Sequence, residues 1–448
     1  MEDNEIYSSG YQPVPGGNNA PNDRSGKFFW GGLFTGLVLS LLIVSSVYVV
    51  NIIQMKQNAG QTVGLHSRNE ESESTGEKED TASDSANEAI TDEMIAKMKI
   101  IESVIDTYYY KEDVDKTAME NGAYKGMVES LGDPYSEYYS KEELQDLYES
   151  SLGIYYGVGA YVSLDSATNL AKISSVIEGT PAEEADLRAD DIIYKVDGTD
   201  VTGMSLQEVV SLIKGEENTT VKLTLIRDGK EIEKEVVRRK VETPTVKFEM
   251  LDDGMAYIQI TEFDTITVDQ FTEAIAMAKG NDMKGLILDL RSNPGGNLSA
   301  VVQIAQQMLP EGLIVYTEDR DGNRDEYSCD GKRQLQVPLV VLVNGNSASA
   351  SEILAGAIKD YGIGTLVGTT TFGKGIVQRP IELSDGSAVK LTISSYYTPN
   401  GINIHGIGIE PDVECEFDSD RYYSEEKYDN QLEKAKEVLL EKMKGSNQ

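Results

Sequence analysis

Three serines share one short run, Ser347, Ser349 and Ser351, with Glu352 directly after them. The run follows a continuous apolar stretch over 337–343. It precedes a segment with Ile353, Leu354, Ala357, Ile358 and Tyr361 at helical spacing. A hydroxyl at such a strand-to-helix junction lies beside unpaired N–H groups and the positive end of the helix dipole, which stabilise developing negative charge. Farther along, Lys374 stands between Gly373 and Gly375, where bare backbone lets another segment approach closely. Serine with lysine is an established alternative to serine with histidine in acyl transfer. The chain has two histidines, His66 and His405, so a Ser-His-Asp triad would depend on one of them. A histidine metal cluster is excluded, and neither a metal nor a cofactor is expected. His405 lies in a glycine-rich late segment and reads as structural.

The elements around these residues read as α/β. A strand over 255–263 precedes a helix over 267–279. A buried strand over 285–291 ends in Ser292-Asn293-Pro294-Gly295-Gly296-Asn297, and a helix starts at Leu298. Taken alone, a Ser-Ala run is usually a packing surface, and Gly-Lys-Gly or Pro-Gly-Gly a turn. Asp360, on the same helix as the serines, reads as structural.

Upstream, 153–240 alternates short strands and turns. Gly157, Val158, Gly159 and Ala160 lead into a strand. Gly179-Thr180-Pro181-Ala182 opens a short helix, and Val196-Asp197-Gly198 closes a strand. The helix from Ser205 carries Leu206, Val209, Val210 and Ile213 on one face. Asp228-Gly229 marks a hairpin. This order resembles a PDZ domain. The resemblance implies that Gly157, Val158, Gly159 and Ala160 point N–H groups at a peptide carboxylate, and that the peptide adds as a strand. Asp186 and Asp190 stand where that family usually has glycine, which puts the turn around Arg188 in question. Lys214-Gly215 replaces a common Arg-Gly and is a candidate coupling point to the rest of the chain.

Four blocks carry a more specific resemblance: Leu-Asp-Leu-Arg-x-Asn-Pro-Gly-Gly at 288–296, Ser-Ala-Ser-Ala-Ser-Glu at 347–352, Thr-Phe-Gly-Lys-Gly-x-Val-Gln at 371–378, and the Gly-Ile-Asn-Ile-His-Gly segment from Gly401. Together, from about 93 to 440, the chain resembles the carboxyl-terminal processing proteases, also called tail-specific proteases. The resemblance implies Ser349 as nucleophile, Lys374 as general base and Gln378 as its orienting partner. It also implies an oxyanion hole from the N–H of Ala350 and of Gly295 or Gly296. The chemistry is consistent with these roles. A lysine is a base only when neutral, and lowering its pKa by about three units requires roughly 4 kcal/mol of desolvation. A neutral amide beside it adds no charge that would raise the pKa again.

The expected fold is an α/β protease core (crotonase/ClpP-like) with an inserted PDZ domain, helical N- and C-terminal segments and an N-terminal transmembrane helix. In order these are a disordered tail over 1–27, a transmembrane helix over 28–55, an acidic linker over 56–92 and a helical segment over 93–152. The PDZ domain follows over 153–240, the protease core over 241–417 and a C-terminal helix over 418–448. The segment 28–55 carries no charge and is long enough to span a bilayer. Arg24 and Lys27 precede it, which places the N-terminus inside and the rest outside the cell membrane. Thr91 is a candidate cap for a helix with Met94, Ile95, Met98, Ile101 and Ile105 on one face. Such helices at the two chain ends could pack together or join two copies into a homodimer. The net charge of -36 argues against a nucleic-acid partner. Cys329 and Cys415 show no metal spacing and read as two free thiols, although a disulfide outside the cell remains open. The expected partners are protein or peptide substrates with apolar C-termini, and the membrane. Two other function classes compete with the protease: a non-catalytic peptide-binding adaptor, and a crotonase-like acyl-CoA enzyme.

Overall fold

Continuous apolar runs along parallel strands organise the chain's main sheet. The computed structural model describes residues 89–445 except 112, 167 and 426. The expected transmembrane span, and the tail and most of the linker beside it, lie outside the described residues. Among the described residues, no helix is long and apolar enough to cross a membrane. Two compact units divide between Ile105 and Asp106.

The first helix, α1 (Asp92–Tyr108), is capped by Thr91, whose Oγ1 accepts from Met94 N at 3.2 Å. None of its residues is buried. Helix α2 (Lys116–Glu129) follows, then strand β1 (Glu137–Tyr139) and helix α3 (Lys141–Leu152). Ser140 and Glu143 cap α3 reciprocally.

Strands β2 (Ile154–Gly157), β3 (Ala160–Leu164) and β4 (Ala171–Val176) lead to a short helix α4 (Pro181–Glu184). Then come β5 (Ile192–Val196), β6 (Thr199–Asp200), α5 (Leu206–Ile213), β7 (Thr220–Arg227), β8 (Lys230–Val237) and β9 (Arg239–Glu242). Strands β3-β4-β5-β7-β8 form one sheet, with β6 on β5, while β2 pairs with β9. The sheet and α5 enclose a separate core that includes Ile173, Ile193, Val209, Leu223 and Leu225. Asp186 and Asp190 both adopt positive φ, 56° and 68°, so the glycine-type conformation survives without glycine. Asp186 is held there by Arg188, Arg227 and Lys234.

The remaining elements are β10 (Val246–Met250), β11 (Met255–Ile260), α6 (Thr267–Gly280), β12 (Gly285–Asp289), α7 (Leu298–Ala305), β13 (Gly312–Asp319), β14 (Arg324–Cys329), β15 (Leu339–Val343), α8 (Ala350–Asp360), β16 (Gly364–Gly368), β17 (Ile376–Glu382), β18 (Ala388–Tyr397), β19 (Val413–Glu414), α9 (Ser419–Tyr423) and α10 (Asn430–Gly445). The main sheet runs β10-β11-β12-β15-β16-β19, parallel except at β10. Ala256, Ile258, Leu286, Leu288, Leu339 and Val341 face the core shared with α6, α7 and α8. Tyr257, Ile287, Val340 and Leu342 face the other way, onto Ala435 and Leu439 of α10. Burial on both faces explains the unbroken apolar runs. A second, antiparallel sheet orders β1-β18-β13-β14, with β17 also on β18.

The C-terminal helical stretch is broken rather than continuous. Helix α9 ends at Tyr423 and α10 starts at Asn430; just before α10, Asp429 is held by Arg291 at 2.8 Å, which also reaches Asp289 at 2.7 Å. Cys329 is buried and Cys415 half-buried, and both are free.

Candidate active site

Parallel neighbours place their C-terminal ends on one edge, so the loops after β11, β12, β15 and β16 meet there. These loops carry, in spatial order, Glu262 to Asp264, the Pro294-Gly295-Gly296 turn, Ser349 and Lys374. With α3, β17 and β18 they line a cleft of about 480 Å³ that contains Gly296, Ser349, Ala350, Lys374 and Gln378.

Hydrogen bonding distinguishes the three serines. Ser347 Oγ donates to Leu290 O at 2.8 Å and Ser351 Oγ to Asn293 O at 3.0 Å, and both residues are fully buried. These two hydroxyls tie the serine loop to the glycine turn. Ser349 alone of the three lines the cleft. Its φ of 53° is unusual for a non-glycine residue and turns the chain sharply into α8.

The glycine turn is shaped by contact with that serine. Gly295 has φ of 106°, and a Cβ there would lie 2.8 Å from Ser349 Cβ and 3.0 Å from Ala350 N. Its own N–H donates to Asn293 Oδ1 at 2.8 Å. The N–H of Gly296 donates to nothing among the described residues, and that of Ala350 opens α8, where helical donors lack partners. Of the two glycines considered from sequence, Gly296 therefore has the free amide.

Sequence reasoning gave no role to Glu352, whose burial and partners only the folded chain reveals. Its carboxylate is fully buried, at 0% exposure, and accepts four hydrogen bonds. Ser349 N donates to it at 2.8 Å, Lys374 N at 2.9 Å, Gly373 N at 2.7 Å and Thr371 Oγ1 at 2.6 Å. One side chain thus clamps the serine turn to the lysine loop. The Ser-x-x-Glu spacing, a capping-box pattern, was the available signal.

Burial pushes Lys374 below the ordinary lysine pKa, and the charge of Lys390 adds to this, against Asp133 and Glu352. The Lys374 ammonium lies 4.6 Å from the centroid of the Tyr135 ring. No hydrogen bond joins it to Ser349 or Gln378 among the described residues. Gln378 instead donates to Thr392 Oγ1 at 3.1 Å, and Thr392 donates to Asp133 Oδ2 at 2.6 Å. The expected lysine partner is therefore engaged one step away, through β18. His405 lies outside the cleft lining, and Asp360 accepts from Asn400 N at 2.8 Å.

In the sheet β3-β4-β5-β7-β8, β3 is an edge strand with α5 packed near it. Gly159 has φ of 88°, and a Cβ there would collide with Thr180. The carbonyls of Val158 and Gly159 accept from Ala182 N and Ile177 N, while their N–H groups donate to nothing among the described residues. Free amides beside an open strand edge suit an incoming carboxylate. Lys214, after α5, lies 3.5 Å from Glu149 of α3, a helix that also lines the cleft around Ser349.

Comparison with known proteins agrees with this architecture. Residues 254–415 match peptidase family S41, residues 172–227 match a PDZ domain, and residues 51–143 match the activating protease CtpB N-terminal domain. Carboxy-terminal processing protease CtpA of Bacillus subtilis is 40% identical over 71% of this chain and 68% of that protein. A probable CtpA-like serine protease of Staphylococcus aureus is 37% identical over 71% of this chain and 63% of its own length. A solved photosystem II D1 C-terminal processing protease is 33% identical, over 73% of this chain and 94% of that one, with a TM-score of 0.43. The assignment stands on the sequence matches, which span about two thirds of the curated relatives. The chain belongs to peptidase family S41 and is a serine-type carboxyl-terminal processing protease that carries a PDZ domain.

Proposed function

We propose that Ser349 attacks the scissile carbonyl while Lys374, as the neutral amine, takes its proton. The tetrahedral oxygen forms against the N–H groups of Ala350 and Gly296, and the lysine returns the proton to the leaving amine. The observation that carries this reading is one cleft that holds Ser349, Lys374 and two uncommitted amides. Before the transfer, Lys374 swings from the Tyr135 ring toward Ser349, and Gln378 exchanges Thr392 for the lysine. The PDZ domain binds an apolar substrate C-terminus at Gly157, Val158, Gly159 and Ala160. Lys214, between α5 and α3, conveys that binding to the cleft. The enzyme is held by the segment 28–55 in the cell membrane and works on proteins outside. The exposed apolar residues of α1 support a homodimer through the terminal helices. The parallel sheet with amides at its strand-to-helix turns supports kinship of the core with crotonase and ClpP-like chains.

The test is cleavage of an unstructured protein by the detergent-purified full chain and by its Ser349→Ala and Lys374→Ala variants. Each variant should lose on the order of 10⁶ in rate. Cleavage at the wild-type rate by both variants would remove the dyad.

A further inference from the structure

The loop after β11 brings two carboxylates into the cleft that the reaction above does not use. Phe263 pairs with the glycine turn as a short parallel bridge. Its N–H donates to Gly295 O at 2.8 Å, and its carbonyl accepts from Asn297 N at 2.6 Å. The Phe263 ring is fully buried, so strand alternation turns Glu262 and Asp264 to the opposite face, and both line the cleft.

Asp264 is the telling residue. It is only 5% exposed, yet its carboxylate accepts no hydrogen bond and no ion pair among the described residues. Its oxygens are not sealed from solvent, since Asp264 has no atom among the described side-chain atoms that are both fully sealed and without a hydrogen bond, and the residue lines the cleft. The surroundings are negative. Thr265 N donates to Ser151 O and Ile266 N to Leu152 O, which seats the loop on the C-terminal end of α3, the negative end of its dipole. Burial, with Glu262 adding, pushes the Asp264 carboxyl up to about 7. A buried carboxylate without donors or a cation is unfavourable by several kcal/mol, and clefts are where such groups await a ligand's charge.

The cleft's own lysines do not supply that charge. Lys390 pairs with Glu137, and no ion pair joins Lys374 or Lys390 to Glu262 or Asp264 among the described residues. Strand order explains the separation. The acidic loop follows β11, Ser349 follows β15 two strands away, and Lys374 lies beyond it after β16. At about 4.8 Å per strand, the acids stand roughly 10 Å from the serine, on the side away from the lysine. A bound chain rising about 3.3 Å per residue covers that distance in about three residues.

We propose that Glu262 and Asp264 form a cation subsite that takes a lysine or arginine side chain of the substrate, within a few residues of the scissile bond. This rests on the protease reading above. The chain's net charge of -36 favours the approach of basic segments. A metal ion is the poorer occupant: no group of three or more metal-ligating side chains forms among the described residues, and a hard divalent ion takes six or more oxygens.

The experiment uses the full chain in detergent and one unstructured peptide scanned with lysine or glutamine at each position flanking the cleaved bond. At one position, lysine should raise kcat/KM about tenfold over glutamine. Asp264→Asn should cut that ratio to within about twofold, and Asp264→Lys should shift the preference to a glutamate peptide. Glu262→Gln, at the exposed mouth, should lower the ratio by a smaller factor and guards against misfolding of the buried variant. Fluorescence anisotropy of the same peptides on Ser349→Ala reads the subsite without chemistry. There the lysine peptide should bind several-fold tighter than the glutamine peptide, and Asp264→Asn added to Ser349→Ala should abolish the difference. Equal cleavage and equal binding at every position would overturn the subsite while leaving the protease reading intact. Cleavage that survives Ser349→Ala would remove the dyad, and the binding data would still decide the subsite. Thermal stabilisation by calcium, magnesium or manganese that disappears in Asp264→Asn would also overturn it, as a metal site.

Discussion

Glu352→Gln is the sharpest test of how the site is held. The carboxylate accepts from Ser349 N and Lys374 N on one oxygen and from Gly373 N and Thr371 Oγ1 on the other. Glutamine keeps the shape but offers one acceptor oxygen, so its amide N–H₂ must face two donors. Two charge-assisted bonds are lost, at about 1.5–3 kcal/mol each. If about 3–4 kcal/mol of this is expressed in the transition state, kcat falls roughly 10²–10³-fold. KM should stay within a few-fold, because Glu352 is sealed from the substrate. Melting temperature should fall by roughly 6–12 °C for a loss of about 3 kcal/mol. Steady-state cleavage of an unstructured protein at 20 °C gives kcat and KM. Labelling by a small fluorophosphonate reports the serine alone, and should slow in parallel. Thr371→Val, which removes one of the four bonds, should reduce kcat about tenfold. A Glu352→Gln enzyme with wild-type kcat within about threefold would refute the clamp. So would a folded variant whose serine labels at the normal rate.

Other outcomes follow from the same geometry. The role proposed for Lys374 needs its neutral amine, and its pKa is lowered, so kcat/KM should rise with pH and level off below the ordinary lysine value. Lys390→Met, which removes a like charge, should move the midpoint up, and Asp133→Asn should move it down; an unmoved midpoint in both would exclude these causes. Asp264 is raised to about 7, so the folded chain holds a proton that the unfolded chain has already lost. That stability is present below about pH 4 and is lost as pH rises toward 7. Asp264→Asn should then stabilise the chain by roughly 2–4 kcal/mol at pH 8 and have little effect at pH 4, as read by chemical denaturation. The Lys214–Glu149 pair is partly exposed, so Lys214→Met should change stability by less than about 1 kcal/mol. It should nevertheless blunt, several-fold, any stimulation by an added apolar C-terminal peptide, and an undiminished response would exclude this route.

The types and order of the elements were legible because local rules govern them. Short apolar runs at 285–288 and 339–343, bounded by turn signals, read as strands buried on both faces. Asp228-Gly229 and Asp197-Gly198 took the positive φ that their hairpins require. Ser349, Lys374 and the glycine turn were nominated by the resemblance of their blocks, taken together and in order, since each block alone reads as a packing surface or a turn. Partner choice was not legible. Which amide is free between Gly295 and Gly296 depends on an Asn293 side chain folded back on the turn. Gln378 meets Thr392 rather than the lysine because β17 and β18 pair there with a register shift. Glu352 and Asp264 are both acids beside apolar residues in the sequence. In the fold one is sealed by four donors and the other is left open to the cleft. Burial and hydrogen-bond partners come from segments far apart in the chain, so local spacing can nominate a charged group, but only tertiary packing determines what neutralises it.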